Sequence, residues 1–364
     1  MRLRLLLLAG FAVLSGAAGA APKWSTGDLA VLRDVVAAAP AEGVTGYDPA
    51  PLETLAPGDL SDAVADVVAL ELARDYREGT DAIRADRSWH FAQSAFDYSA
   101  WLNAALARHD VKASFAALLP VSARYRALRE ALAGCGQPAA CRQIAINLDR
   151  LRALPHELGN RYLWVNVPAF RLDLVEDGNV VASHRIIVGK PGSQTPSFQT
   201  KVIGVTINPW WNVPCSIVDE SIGKLVTSNP REAARRGYVA SRDAKGKLVV
   251  RQRPGPDNAL GRIKLEMPNP YNVYIHDTPS KDLFASQRRA FSHGCIRTQD
   301  PQSLALSILG DGQAQTIELL LETGVSRTLR LPRPLPVYVV YMTTEPGEGG
   351  QLLSYPDLYR RDRR

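Results

Sequence analysis

The sequence has few cysteines, no strong excess of either charge and, after its first twenty residues, no long apolar run. Four cysteines in 364 residues are too few for a disulfide-stapled scaffold. A formal net charge of +6 lacks the steep basic bias of a dedicated nucleic-acid binder. The lack of repeated apolar segments excludes a multi-span membrane protein. With 46% hydrophobic and 22% charged residues, the chain is predicted to be globular and long enough for two domains.

The first twenty residues have the pattern of a secretory signal peptide. Arg2 and Arg4 precede an apolar run over residues 5–14, and small residues follow up to Ala20. The apolar run is shorter than the roughly 20 residues that a membrane-spanning helix needs. We therefore expect residues 1–20 to be cleaved, and the mature protein to be an exported, soluble monomer without stable membrane insertion.

The spacing of the hydrophobic residues divides the rest of the sequence into two regions. Residues 26–157 have helical spacing, whereas residues 160–343 are mostly alternating and β-rich, with a polar tail over 344–364. A helix is expected to begin at Asp300-Pro301. The strand candidates are Tyr162–Val167, Arg171–Val175, Val180–Val188, Lys201–Asn208, Tyr271–His276, Thr316–Leu321 and Val337–Met342. The sequence thus predicts an α+β protein, an all-helical domain followed by a β-rich one.

One segment of the β-rich half is strongly basic. Residues 221–264 contain 11 Lys and Arg against Glu232, Asp243 and Asp257, a net charge of +8. The expected mature chain outside this segment is net negative. Such a concentration of charge indicates attraction of an anionic partner, and a solvated loop face is the alternative.

The string with the most chemical information is Ser292-His293-Gly294-Cys295, with His276 nineteen positions before the cysteine. A thiol attacks as its thiolate, and a nearby imidazole can take the proton. Gly294 permits a tight turn, and the main-chain amides of Gly294 and Cys295 are candidates to face a developing oxyanion. Two alternatives stay open on the residues alone: zinc ligation by His276, His293 and Cys295, which lacks an obvious fourth ligand, or a structural role.

His276, followed after fifteen residues by Ser292–Cys295, resembles the active-site motif of the L,D-transpeptidases, the YkuD-like catalytic family. Other segments are similar to parts of the long proteobacterial members and of their scaffold domain: 208–214, 216–217, 253–261, 268–271, 125–129 and 147–150. The resemblance covers most of residues 26–362. It implies a helical scaffold domain over 26–157, followed by a catalytic domain over 160–343 in which residues 221–264 form a capping insert.

The resemblance also implies a reaction on peptidoglycan stem peptides in the periplasm. A cysteine thiolate attacks the amide after diaminopimelate, D-alanine leaves, and an amine of a second stem resolves the thioester into a 3-3 cross-link. Carried over, Cys295 is the nucleophile and His276 the general base, oriented by a carbonyl near Asp277. His293 and Gly294 shape the oxyanion site, and no metal or organic cofactor is needed.

Substrate-binding candidates and the cysteines complete the predictions that rest on the resemblance. The substrate-binding candidates are Arg297, Ser292, Tyr274, Trp211 and Asn258, and for Arg297 a structural salt bridge is the alternative. Cys135 and Cys141 flank a short loop where long members carry a peptidoglycan-binding insert. In an oxidising periplasm we expect these two to form a disulfide, and Cys215 to be a buried free thiol. Other cell-wall synthesis proteins are further candidate partners.

Alternatives to transpeptidation use the same residues. Water in place of the acceptor amine would give an L,D-carboxypeptidase or an amidase that releases proteins from the wall. A non-catalytic wall-binding protein and a zinc protein belong to other classes. The intact His276/Cys295 pair argues against a simple binder, which has no need of a thiolate.

Overall fold

The computed structural model describes residues 23–347 and 349–362, so the predicted signal peptide over 1–20 lies outside the described residues. The chain forms two compact units, one from the described residues up to Glu157 together with those from Met342 onward, and one from Leu158–Tyr341. Within the described ranges, no helix is both long and apolar enough to cross a membrane. The predicted order, a helical region followed by a β-rich one, is confirmed.

The first unit is mainly helical. Ser25 caps its first helix by accepting a hydrogen bond from the main-chain amide of Asp28. Trp24, Leu32 and Leu72 are fully buried in its core. The elements are α1 (Thr26–Ala38), α2 (Ala50–Glu53), α3 (Asp59–Glu78), α4 (Asp81–Arg84), β1 (Trp89–His90), α5 (Tyr98–Ala107), α6 (Val111–Ala116), α7 (Ala123–Ala133) and α8 (Pro138–Arg152).

The C-terminal segment belongs to this helical unit. The residues expected to form a polar tail contain β14 (Thr344–Pro346) and β15 (Leu352–Ser354), which pair in antiparallel fashion. The buried Arg150 side chain lies 2.8 Å from an Asp362 carboxylate oxygen. The Asn147 amide donates to the Thr343 hydroxyl at 2.8 Å. The helical unit is therefore built from both ends of the chain.

A disulfide joins Cys135 and Cys141, with their Cα atoms 5.6 Å apart. This confirms the predicted pair around the short loop between α7 and α8. Cys215 is free, as predicted, but it is exposed, so the prediction of a buried thiol is wrong. At that point Ile217 and Val218 pack inward and Cys215 faces solvent.

The second unit is a sheet that closes on itself. Its order is β5-β13-β2-β3-β4-β12-β10-β9, and β5 also pairs with β9. The strands are β2 (Arg161–Asn166), β3 (Arg171–Glu176), β4 (Asn179–Gly189), β5 (Ser197–Ile207), β9 (Ile263–Glu266), β10 (Ile275–His276), β11 (Ala290–Ser292), β12 (Ile296–Thr298) and β13 (Arg327–Val340).

Two helices follow the strands that carry the chemical motif. The first, α12 (Pro301–Leu309), begins where Asp300-Pro301 predicts, and the Asp300 carboxylate accepts from the Ser303 amide. The second, α13 (Ala314–Thr323), corrects the predicted strand over Thr316–Leu321. Its buried residues Ile317 and Leu320 lie three apart, which is helical spacing.

Most of the basic segment predicted as a capping insert over 221–264 lies in a small subdomain of the second unit. Its last two residues, Ile263 and Lys264, belong to β9 instead, and the subdomain begins earlier, at Trp211. It comprises β6 (Trp211–Asn212), α9 (Cys215–Ile217), a π-helical turn (Val218–Ile222), α10 (Gly223–Ser228), α11 (Pro230–Arg235), β7 (Tyr238–Arg242) and β8 (Leu248–Gln252). The three strands pair in the order β6-β8-β7. Trp211, Val213, Val218, Val250 and Leu260 form its own apolar cluster. We call residues 211–260 the capping subdomain.

Candidate active site

His276 lies on β10, between β9 and β12. It is opposite Lys264 on β9 and Arg297 on β12. Its side chain is only 4% exposed, and its Nδ1 lies 2.5 Å from the main-chain carbonyl oxygen of Asp277. Because a carbonyl oxygen only accepts, Nδ1 carries the proton of the neutral ring and Nε2 carries the lone pair.

The environment of His276 favours the neutral imidazole. Burial and the nearby Arg297 charge lower its pKa to about 4, against hydrogen bonds with the main chain of Asp277 and Leu260. At neutral pH the ring is therefore neutral and able to accept a proton.

Cys295 immediately precedes β12, which runs parallel to the strand of His276. Its side chain is half-buried, and Sγ lies 3.6 Å from the carbonyl oxygen of Asn272. Burial raises the pKa of the Cys295 thiol, against a main-chain hydrogen bond from Tyr274 and the charges of Arg297 and Lys264. The resting site therefore holds a protonated thiol just before β12 and a neutral imidazole on the neighbouring strand β10, so proton transfer must precede attack.

The loop before Cys295 is held by hydroxyl groups. The Ser292 hydroxyl donates to the Cys295 carbonyl at 2.5 Å and accepts from the Gly294 amide at 3.1 Å. The Thr195 hydroxyl donates to the Gly294 carbonyl at 2.8 Å. Gly294 has a φ of +113°, which disfavours side-chain-bearing residues. The Ser292 hydroxyl and the Gly294 amide thus have their hydrogen-bond partners within the loop itself.

The Asp277 carboxylate organises the segment that follows His276. Its oxygens accept from the main-chain amides of Arg262 and Thr278 at 2.8 and 2.7 Å, and Lys281 lies 2.6 Å away. Gly261 has a φ of +61°, and a Cβ there would overlap this carboxylate. The contact links the two residues that follow the capping subdomain, Gly261 and Arg262, to the residue that orients His276.

The imidazole of His293 points to an exposed charged cluster. Its Nε2 lies 3.2 Å from Lys190 Nζ and 3.2 Å from a carboxylate oxygen of Glu220. The His293 imidazole is therefore at the surface. The predicted role of His293 in shaping the oxyanion site cannot come from a buried imidazole. Sequence reasoning missed Lys190 and Glu220, although Lys190 lies in a Gly-Lys-Pro-Gly turn.

Arg297 and Tyr274 are the predicted substrate residues that lie beside the Cys295 thiol. Arg297 is half-buried, and within the described chain no carboxylate pairs with it. The structural salt bridge that we considered is therefore absent from the described residues. The ring of Tyr274 is half-buried, with Lys264 Nζ 4.6 Å from its centroid.

Trp211 and Asn258 lie inside the capping subdomain, not on a substrate-facing surface. Trp211 belongs to the apolar cluster. Asn258 is 1% exposed, and its amide donates to the carbonyls of Pro209 and Arg253 at 3.1 and 2.9 Å. Its side-chain oxygen accepts from the Leu260 amide. Both residues shape the subdomain from within.

Two further residues near the thiol escaped sequence reasoning. Asn272 has a φ of +55°, which asparagine tolerates better than most residues, and its carbonyl faces Sγ. Thr195 holds the Gly294 carbonyl from a distant loop. The positive φ of Asn272 has a sequence signal, an Asn-rich Asn-Pro-Tyr-Asn turn, whereas Thr195 has none.

The ligand set of the zinc alternative is not assembled. Over residues 23–347 and 349–362, no group of three or more His, Cys, Asp or Glu side chains is placed to hold a metal ion. His276 uses Nδ1 for the Asp277 carbonyl, and His293 faces Lys190 and Glu220.

Comparison with known proteins identifies both parts of the chain. The model of the L,D-transpeptidase catalytic domain, YkuD, matches residues 160–313, and a Scaffold domain model matches residues 17–132. A Haemophilus influenzae protein named "Putative L,D-transpeptidase" is 28% identical over 94% of this chain and 76% of its own length.

Solved L,D-transpeptidase structures match more distantly. A mutant of the Enterococcus faecium L,D-transpeptidase is 15% identical over 51% of this chain and 52% of its own, with a TM-score of 0.27. The Mycobacterium smegmatis L,D-transpeptidase is 16% identical over 49% of this chain and 58% of its own, with a TM-score of 0.25. This chain thus spans little more than half of either structure.

The Scaffold match lies in the helical region, and the YkuD match lies in the region that holds the candidate active site. The YkuD match contains His276, Cys295 and the whole capping subdomain. The chain therefore carries a Scaffold domain followed by an L,D-transpeptidase catalytic domain of the YkuD type.

Proposed function

We propose that this enzyme forms 3-3 cross-links between diaminopimelate residues of peptidoglycan stem peptides through a thioester on Cys295. The observation that carries the proposal is the hydrogen bond from His276 Nδ1 to the Asp277 carbonyl. It leaves Nε2 of a buried, neutral imidazole as a proton acceptor on the strand next to the one that follows Cys295.

The first half-reaction forms the thioester. Nε2 of His276 takes the Cys295 proton, and Sγ attacks the carbonyl carbon of the amide between diaminopimelate and D-alanine. Since the Gly294 amide already donates to Ser292, the Cys295 amide is the loop donor assigned to the oxyanion. The imidazolium then gives its proton to the amide nitrogen, the C–N bond breaks, and D-alanine leaves.

The second half-reaction returns the enzyme to its resting state. The neutral amine of a second stem attacks the thioester carbonyl, and His276, again neutral, takes the proton that the new amide must lose. The C–S bond breaks, and the thiolate regains its proton from His276. Arg297, which lacks an ion-pair partner in the described chain, is assigned to a substrate carboxylate.

The capping subdomain is proposed to attract or gate the anionic stem peptide. Its positive charge supports this, but Arg235 and Arg236 both pair with Glu232, so part of that charge is neutralised locally. Reversal of Arg251, which stacks on the exposed Trp210, is a sharper test than reversal of that pair. We expect a raised KM and a weaker salt dependence.

We further propose that the protein acts in the periplasm as a monomer after removal of residues 1–20. The pattern of Arg2, Arg4 and the short apolar run supports export. N-terminal sequencing of the protein from the periplasmic fraction tests it. An intact Met1 in the cytoplasmic fraction would contradict the proposal.

The decisive experiment compares muropeptides from cells that express the wild type or Cys295→Ala. Diaminopimelate-to-diaminopimelate dimers that depend on Cys295 are the expected result. Conversion of tetrapeptides to tripeptides without dimers would assign the enzyme to the carboxypeptidases instead. Dimers that persist with Cys295→Ala and disappear with a chelator would overturn the cysteine mechanism.

A further inference from the structure

A mixed-charge cluster stands at the solvent side of the catalytic loop. Lys190 follows β4, His293 is two residues before the nucleophile, and Glu220 comes from the π-helical turn of the capping subdomain. The Lys190 amide donates to the Ser292 carbonyl at 2.9 Å, which fixes its backbone beside the loop. The three side chains are 42%, 40% and 54% exposed, whereas Ser292 and His276 are buried.

The hydrogen bonding of this cluster is incomplete. His293 Nε2 lies 3.2 Å from both the Lys190 ammonium and a Glu220 oxygen. One ring nitrogen either accepts from the lysine or donates to the carboxylate, and it cannot do both. Lys190 and Glu220 approach only to 3.8 Å. Exposed ion pairs of this kind contribute about 0–1 kcal/mol, so a ligand can replace them at low cost.

We propose that Lys190, Glu220 and His293 form a subsite for a free amino-acid group, an ammonium and a carboxylate on one carbon atom. The ligand carboxylate forms an ion pair with the Lys190 ammonium. His293 Nε2 then no longer accepts from Lys190 and can donate to one oxygen of Glu220. The other oxygen of Glu220 accepts from the ligand ammonium. All three side chains then have a partner of the correct kind, whereas without the ligand His293 Nε2 can satisfy only one of its two neighbours.

This inference rests on the proposed function, because the D-centre of diaminopimelate is such a group. Donor and acceptor stems both carry one, so two sources share the chemistry. Lysine in place of diaminopimelate keeps the amine and lacks the carboxylate. A tetrapeptide with lysine at the third position is therefore a probe matched to the Lys190 contact.

Binding to the Cys295→Ala protein tests the subsite apart from turnover. We expect calorimetry to give about tenfold weaker binding of the diaminopimelate tetrapeptide with Lys190→Gln or Glu220→Gln. The lysine tetrapeptide should bind equally well with and without the Lys190→Gln change, because its side chain has no carboxylate for Lys190 to bind. Asp219→Asn and Lys201→Gln are exposed controls, and each should bind as Cys295→Ala alone.

Turnover by the same variants, made in the enzyme with Cys295 intact, shows whether the group bound in the subsite belongs to the donor stem or to the acceptor stem. Slower D-alanine release assigns the subsite to the donor stem, and unchanged release with slower dimer formation assigns it to the acceptor stem. Equal losses for the diaminopimelate and lysine peptides with Lys190→Gln, or no loss of diaminopimelate-peptide binding with either variant, would overturn the inference. If the wild type releases D-alanine but makes no dimers, the proposed cross-linking fails while the binding result still decides the subsite.

Discussion

The Nδ1 atom of His276 donates to the main-chain carbonyl of Asp277, not to a carboxylate. A carbonyl does not titrate, so the orientation of the ring is independent of the ionisation of any acidic side chain. The Asp277 carboxylate acts on the main chain instead, by accepting from the amides of Arg262 and Thr278. The tautomer of the proposed base is therefore fixed by the backbone.

The pH dependence of activity follows from the low pKa of His276. Since that pKa is about 4, the ring stays neutral as the pH falls through 6 and 5. We expect the acid limb of kcat/KM to lie near pH 4, well below the usual range of a histidine base. Rates of D-alanine release between pH 3.5 and 8 check this, and a half-maximum near pH 6.5 would contradict it.

The stability of the second unit (Leu158–Tyr341), which we call the catalytic unit, should depend on pH for the same reason. The unfolded chain binds the His276 proton near pH 6.5 and the folded chain only near 4, so the stabilising contribution is complete above 6.5 and is lost as pH falls towards 4. The expected loss is up to about 3 kcal/mol. Denaturant titrations of wild type and His276→Gln measure it by difference, because buried His184 contributes equally to both.

Gly261→Ala tests the contact between Asp277 and the residue that follows the capping subdomain. A Cβ at this position would displace the carboxylate that follows His276, so we expect activity to fall at least about tenfold. Gly246→Ala is the matched control, because its φ of +76° is also positive but nothing lies within 4 Å. Comparable activity losses in the two variants would attribute the effect to backbone strain alone.

Asn258→Ala distinguishes an internal residue from a substrate-binding one. Loss of its hydrogen bonds to Pro209, Arg253 and Leu260 should cost about 2–4 kcal/mol of unfolding free energy. Asn212→Ala, an exposed change on β6, should leave stability unchanged. A raised KM for Asn258→Ala with unaltered stability would restore the substrate-binding role predicted from the sequence.

The Cys135–Cys141 disulfide should stabilise the helical unit without affecting the chemistry. A loop of this length is worth about 2 kcal/mol in the chain-entropy model. Cys135→Ser with Cys141→Ser should therefore lower the stability of that unit by this amount and leave D-alanine release intact. Cys215→Ser, at an exposed free thiol, is the control. A loss of activity in proportion to the lost disulfide would contradict this expectation.

Features with local causes were predictable from the sequence. The hairpin of β3 and β4 follows from two alternating runs around Asp177-Gly178, where both residues have positive φ. The start of α12 follows from the Asp300 cap. Cys295 and His276 were predicted as nucleophile and base because the motif that contains them is short and specific.

Features decided by tertiary contacts were not predictable. The predicted strand over 271–276 is an exception, because its error has a local cause. Only Ile275 and His276 pair as β10, since the Asn269 side-chain oxygen accepts from the amides of Tyr271 and Val273, two and four residues further on. Trp211 and Asn258 looked like substrate residues because a motif does not reveal which way a side chain faces. The Lys190–Glu220 approach joins residues from separate loops, which no spacing indicates.

The helical unit contains residues from both ends of the chain, with the whole catalytic unit between them. During synthesis, α8 emerges long before Asp362, whose carboxylate contacts the buried Arg150. The helical unit thus reaches the contacts described here only after residues 342–362 have left the ribosome. A chain truncated after Tyr341 would contain every residue of the candidate active site and still lack the contacts that Thr343 and Asp362 make with α8.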